Sequence, residues 1–175
     1  MALPRRHELT PLQFEGKFLP APPRTSTMEN LNEPVIVEET YDASPELVWE
    51  AITEADLMRE WYFDTIKQFE AKVGFETCFE VTCEEVVYPH RWQVTEVVPG
   101  KRLVYRWRYD GYPGDSYVTW ELFPESTGTK LKLTHKGHET FPQDNPVFGE
   151  DACLDAWHYF IQQTLPEYLE ASGNE

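Results

Sequence analysis

Two of the five histidines, His135 and His138, the three cysteines and two pairs of adjacent glutamates are the side chains here whose types and spacing could suggest chemistry. Their spacing argues against most of it. His135 and His138 are three apart, and on a strand they point to opposite faces rather than to one metal ion. No His, Asp or Glu set has metal-ligand spacing, so no metal and no other cofactor is expected. Glu38-Glu39 and Glu84-Glu85 lie in strand-like segments. Strand neighbours alternate, so neither pair is expected to act as facing acid and base. Cys78, Cys83 and Cys153 are odd in number and form no CxxC pair. A disulfide framework is therefore not expected, and a reducing, cytoplasmic setting is. Cys78 and Cys83, five apart, should face opposite sides of their strand. No Ser-His-Asp or Cys-His order is recognisable, which favours a binding protein over an enzyme.

What remains is a set of aromatic residues on alternating segments. Leu103, Tyr105, Trp107 and Tyr109 share one strand face; Val104, Arg106 and Arg108 share the other. Val118, Trp120 and Leu122 oppose Tyr117, Thr119 and Glu121, and Leu131, Leu133 and His135 oppose Lys130, Lys132 and Lys136. One face is apolar and one charged, so the sheet is covered on one side only. Arg106, Arg108, Lys130 and Lys132 are expected in a solvent-side ladder with Glu121. Period-two segments run over 35–41, 67–71, 76–84, 90–98, 102–109, 116–123 and 130–136. Turn-forming residues separate nearly all of them, which predicts an antiparallel meander.

Helices must supply the cover. Cys153, Leu154, Trp157, Phe160, Ile161, Thr164, Leu165, Tyr168 and Leu169 recur at spacings of three and four. This predicts a long amphipathic helix near 150–171. Pro166 removes one backbone hydrogen bond and should disturb that helix near Gln162-Gln163. Earlier in the chain, Ser44 suits an N-cap and Pro45 the first helical position, ahead of the face Leu47, Val48, Ala51 and Ile52. Thr53 with Asp56 reads as a capping box opening a second short helix.

The chain has 175 residues, enough for one sizeable core. The domain is expected over 34–171, with an irregular arm over 1–33 and a tail over 172–175. The arm holds five prolines and four charges of each sign, so the whole net charge of −16 falls on residues 34–175. Such a domain repels phosphate backbones and anionic lipid surfaces, so no nucleic acid is expected as a partner. No apolar run approaches the roughly 18 residues of a membrane span. The N-terminus has no apolar stretch of the kind a secretory signal needs.

Tyr41-Asp-Ala-Ser-Pro-Glu-Leu-Val-Trp-Glu-Ala-Ile-Thr53, followed by Trp61, resembles the opening of the activator-of-heat-shock-protein-90-ATPase homologue family. The resemblance continues through Val94-Thr-Glu-Val-Val-Pro-Gly-Lys-Arg-Leu-Val-Tyr105, Val118-Thr-Trp-Glu-Leu122, Gly128-Thr-Lys-Leu-Lys-Leu-Thr-His135 and Ala156-Trp157. It spans roughly 34–171. Where members often carry Gly-Gly near the second strand and Gly-Trp in the last helix, this chain has Gly74-Phe75 and Ala156-Trp157. The resemblance implies an α+β helix-grip fold of the START-related superfamily, a curved antiparallel sheet wrapped around a long C-terminal helix. It also implies a cavity between that helix and the sheet. The expected lining is Trp61, Tyr105, Trp107, Trp120, His135 and Trp157, with Tyr105 and His135 as polar handles. Two function classes stay open. One is a binder of a small apolar or amphipathic molecule. The other is a protein-interaction module resembling a co-chaperone that stimulates a heat-shock protein 90-type ATPase.

Overall fold

The computed structural model describes residues 33–173. The arm expected over 1–33 therefore lies, but for Glu33, outside the described residues. Strand β1 (Val35–Tyr41) leads into α1 (Pro45–Thr53) and α2 (Ala55–Trp61). Strands β2 (Glu76–Cys83), β3 (Val86–Val98), β4 (Arg102–Tyr109), β5 (Ser116–Glu125) and β6 (Gly128–Lys136) follow. Two short 3₁₀ turns then precede α3 (Glu150–Tyr159), a π turn (Phe160–Thr164) and α4 (Leu165–Gly173). The helix thus reaches Gly173, past its expected end. The six strands form one antiparallel sheet in the order β1-β6-β5-β4-β3-β2. This is the expected α+β helix-grip architecture: a meander whose first strand returns to pair with its last.

Local chemistry explains the helix starts. Ser44 Oγ accepts from the Leu47 backbone N–H at 3.3 Å, and Pro45 occupies the first turn, where its missing N–H has no partner to lose. Thr53 does not cap the second helix. It ends α1 and donates back to the Trp49 carbonyl at 2.7 Å, so Glu54 becomes the cap of α2. Asp56, freed from capping, pairs with Arg59.

Segment 67–71 forms no strand. Ile66 and Phe69 are its buried anchors, a spacing of three that a pleated strand does not produce. Arg59 Nη1 holds the segment's start by donating to the Ile66 carbonyl at 2.8 Å. Strand β3 begins earlier than 90, and runs through Pro89. The Pro89 carbonyl accepts from the Asp110 N–H, beyond the end of β4. Its ring nitrogen faces the same way, so the absent donor costs no bond to β2. Cys78 is exposed and Cys83 buried, as their odd spacing requires.

Pro166 leaves its mark one turn upstream. The Leu165 N–H donates to the Phe160 carbonyl, five residues back, and Phe160–Thr164 widens into a π turn containing Gln162 and Gln163. Widening relieves the clash a proline ring makes with the carbonyl four residues earlier, so the helix continues. The Tyr41 hydroxyl donates to the Ile161 carbonyl and pins β1 to that turn.

On the outer sheet face Lys130 pairs with Glu38 at 3.2 Å, Arg102 with Glu121 at 2.8 Å and Arg106 with Asp115 at 2.7 Å. Exposed pairs of this kind contribute little each, about 0–1 kcal/mol.

Glu84-Glu85 is not a strand pair on opposite faces. The two residues form the turn between β2 and β3, with φ of 50° and 68°. Both lie in the left-handed region that side chains disfavour, where Asn-Gly is the preferred two-residue loop. The double substitution Glu84→Asn with Glu85→Gly is expected to raise the unfolding free energy by about 1 kcal/mol, read as a higher urea midpoint. A lower midpoint would mean that the two glutamates make contacts the turn needs.

Candidate functional site

The six residues expected to line a cavity separate into two groups. Trp61, Tyr105 and Trp120 sit in a solid centre, each 1 % exposed or less. Trp61 Nε1–H donates to the Ala51 carbonyl at 2.8 Å, and its ring stacks on Tyr62 and meets Trp120 edge-on. The Tyr105 hydroxyl lies 3.1 Å from the Tyr62 hydroxyl. Tyr62, directly after α2, fills the space between sheet and helix there, its ring meeting Trp92, Trp120, Trp157 and Phe160. Burial pushes the pKa of both phenols upward.

Trp107, His135 and Trp157 do line a cavity, of about 110 Å³, at one end of the sheet. Its walls come from the ends of β2, β3, β4 and β6, from the 3₁₀ segments after β6, and from α3. Tyr88, His90 and Tyr109 stand on the sheet side, Phe141 and Phe148 on the loop side, Cys153 and Ala156 on the helix side. The period-two run Tyr88-His90-Trp92 carries the sequence signal for the β3 contribution. Phe141 and Phe148 stand in the connection between β6 and α3, and folding brings them to Tyr109, at 4.9 and 4.8 Å between ring centroids.

His138 does not diverge from His135. Gly137 adopts φ +99°, and a Cβ there would stand 2.6 Å from the Asp115 carbonyl oxygen. That left-handed residue ends the strand alternation and turns His138 back to the same cavity, 6.5 Å ring to ring from His135.

His135 is fully engaged by the protein. Its Nδ1 accepts from Trp157 Nε1–H at 3.0 Å, with the Cys153 sulfur 3.4 Å away. Nε2 must then carry the ring proton, which it donates to Ser116 Oγ at 2.9 Å. Ser116 in turn donates to the Trp107 carbonyl at 2.8 Å. Burial lowers the His135 pKa to about 3, with His138 adding to the shift. His90 Nδ1–H donates to the Tyr88 carbonyl at 2.9 Å, and burial still outweighs that bond, taking its pKa to about 4. Cys153 is half-buried as a residue, but its sulfur turns inward to His135. Burial pushes the thiol up to about 12. Thiol and imidazole are therefore both neutral, and the Cys153–His135 contact is not an activated nucleophile.

The walls contain no Lys, Arg, Asp or Glu. Among the described residues, no group of three or more His, Cys, Asp or Glu could hold a metal ion. No described helix is long and apolar enough to cross a membrane.

Solved structures share the fold. Protein CV1439 from Chromobacterium violaceum is 23% identical with a TM-score of 0.67, the alignment covering 79% of this chain and 97% of that one. Protein MLL2253 from Mesorhizobium loti is 27% identical, TM-score 0.63, covering 80% and 98%. DynU16, from the dynemicin biosynthetic locus, is 22% identical, TM-score 0.64, covering 80% of this chain and 48% of that one. Curated proteins give no match. Residues 42–170, from the turn after β1 to the last helix, match the model of one family, and this chain belongs to it: the Activator of Hsp90 ATPase homolog 1-like proteins.

Proposed function

We propose that this protein binds a small apolar molecule, or the apolar part of an amphipathic one, in the cavity beside Trp107 and Trp157. The observation that carries this reading is the cavity itself: a half-open space walled by aromatic rings beside the buried core. At about 110 Å³ it is somewhat smaller than the apolar cavity of about 150 Å³ that takes up benzene. A single ring or a branched group of five or six heavy atoms matches it; a sterol does not. The polar handles differ from those expected. Tyr105 and His135 spend their hydrogen bonds on the protein, which leaves Trp107 Nε1–H and His138 Nδ1, both buried without a hydrogen-bond partner, as the wall atoms a guest could use.

The family description suggests the other reading, a partner of an Hsp90-type ATPase. On the outer sheet face Ile36, Tyr117 and Phe123, 47%, 43% and 44% exposed, are interleaved with the Glu38–Lys130, Arg102–Glu121 and Arg106–Asp115 ion pairs. The cavity reading is the better supported of the two. All three cysteines are free, which fits a cytoplasmic setting.

Ala156→Phe should fill the cavity from the helix side, at an overpacking cost of about 1–3 kcal/mol. Titration of the wild type with benzyl alcohol, phenol and cyclohexanol should give a saturable change in tryptophan emission, because Trp107 and Trp157 form the walls. The change should vanish in the filled variant. Absence of any saturable change in the wild type would refute the proposal.

A further inference from the structure

We infer that the molecule taken into this cavity carries an oxygen that accepts a hydrogen bond, as a ketone or ester carbonyl does, and is not a plain hydrocarbon. This rests on the cavity reading above and deepens it.

Two nitrogens supply the first argument. Trp107 is 5% exposed and His138 3%, and both residues line the cavity. Trp107 Nε1–H and His138 Nδ1 are buried without a hydrogen-bond partner in the protein. A polar group in that position has lost its bonds to water and gained none in return. Trp92 and Trp120 also bury an indole N–H without a partner, but neither lines the cavity. Trp92 is stacked on Tyr62 and Tyr105, and Trp120 meets Tyr62 edge-on. Of these three indoles, Trp107 is the one that stands where a guest could satisfy it.

The second argument is that both nitrogens call for an acceptor. An indole N–H can only donate. At His138 a neighbour sets the place of the proton. Glu139 Oε1 stands 3.9 Å from Nδ1, too far for a hydrogen bond but near enough for its negative charge to favour the proton on that nitrogen. Both therefore present N–H. A carbonyl oxygen, with two lone pairs and no proton of its own, suits such donors.

The third argument is that the other ring donors of the wall are taken. His90 Nδ1–H goes to the Tyr88 carbonyl, His135 Nε2–H to Ser116 Oγ and Trp157 Nε1–H to His135 Nδ1. One oxygen of the wall competes for the Trp107 N–H. Burial raises the Tyr109 pKa and the Trp107 indole offsets part of that rise, so the two groups are close, yet they form no hydrogen bond. Tyr109 is fixed two residues along the same strand as Trp107. A guest oxygen can take up an alignment that a hydroxyl held there does not.

The test compares two molecules of one shape, cyclopentanone and methylenecyclopentane, which differ by an oxygen in place of a CH₂ group. Each is titrated into the full ¹⁵N-labelled chain and followed by NMR. The ketone is expected to bind about tenfold more tightly, the worth of one hydrogen bond. The Trp107 indole proton, assigned through Trp107→Phe, should move downfield with the ketone and not with the hydrocarbon. Trp107→Phe, which keeps a ring and removes the donor, should shrink the preference for the ketone several-fold. Equal affinity of the two would overturn the acceptor inference while leaving the cavity a ligand site. A preference for the ketone with no movement of the Trp107 proton would overturn it as well. Binding of neither would also overturn it, and the apolar panel above then decides separately whether the cavity binds anything.

Discussion

Trp157→Ala is expected to lower the unfolding free energy by about 3–5 kcal/mol, the usual range for deleting a large buried aromatic. Trp157 is 3% exposed and stands where helix, sheet and cavity meet. Its ring lies 5.6 Å from Trp120 and 5.8 Å from Trp107, both contacts edge-to-face. Truncation would remove those contacts and merge the new void with the existing one, so little relaxation can refill it. It would also leave His135 Nδ1 with only the weak Cys153 thiol as a donor. Trp157→Phe separates the two contributions. It should recover most of the packing and retain a loss of about 1 kcal/mol for the missing hydrogen bond. Urea denaturation gives both numbers, and a midpoint unchanged in Trp157→Ala would show that this helix face does not hold the sheet.

Acid should unfold this protein earlier than its carboxylates alone require. His90 and His135 are held neutral by burial, with folded-state pKa values of about 4 and about 3, against about 6.5 in the unfolded chain. Both folded values are depressed, so the stabilisation is complete above pH 6.5 and is lost as pH falls. Below that point the unfolded chain takes up protons that the folded one refuses. Each histidine then removes about 1.4 kcal/mol per pH unit, until about pH 4 for His90 and about pH 3 for His135. Between pH 7 and 5 the pair should remove about 4 kcal/mol, a large share of the 5–15 kcal/mol typical of a domain. Most carboxylates titrate below that window, which isolates the histidine effect. His135→Gln, lacking a titratable group, should halve the slope even if it lowers stability at pH 7. Equal urea midpoints at pH 7 and pH 5 in the wild type would show that these rings are protonated in the folded state at little cost.

Much of the fold was legible because its causes are local. Ser44 and Pro45 announce a helix start through groups two or three residues apart. Alternation in Leu103-Tyr105-Trp107 and Leu131-Leu133-His135 marks the inward sheet face, and the stripe from Cys153 to Leu169 marks its cover. Pro166 implied a disturbance near Gln162, and the π turn lies there. The misreadings were local as well. Ile66 and Phe69 imitate a strand until their spacing of three is set against burial, and Glu84-Glu85 has no turn-forming residue to betray the hairpin.

The site divides along a different line. Period two tells whether a residue faces inward; it does not tell how far along the helix axis that residue sits, or what fills the space above it. Trp107 and Tyr105 share a strand face, yet one lines a cavity and the other lies under Tyr62 in a filled core. That difference depends on where α2 ends and lets Tyr62 in. His138 was assigned away from His135 by strand geometry, and the left-handed Gly137 brings it back. The sequence by itself determined the elements, the inward face and the charge. The tertiary structure alone decided which aromatics enclose a space and which of their polar atoms are already taken, because those outcomes depend on residues far apart in the chain meeting at one end of the sheet.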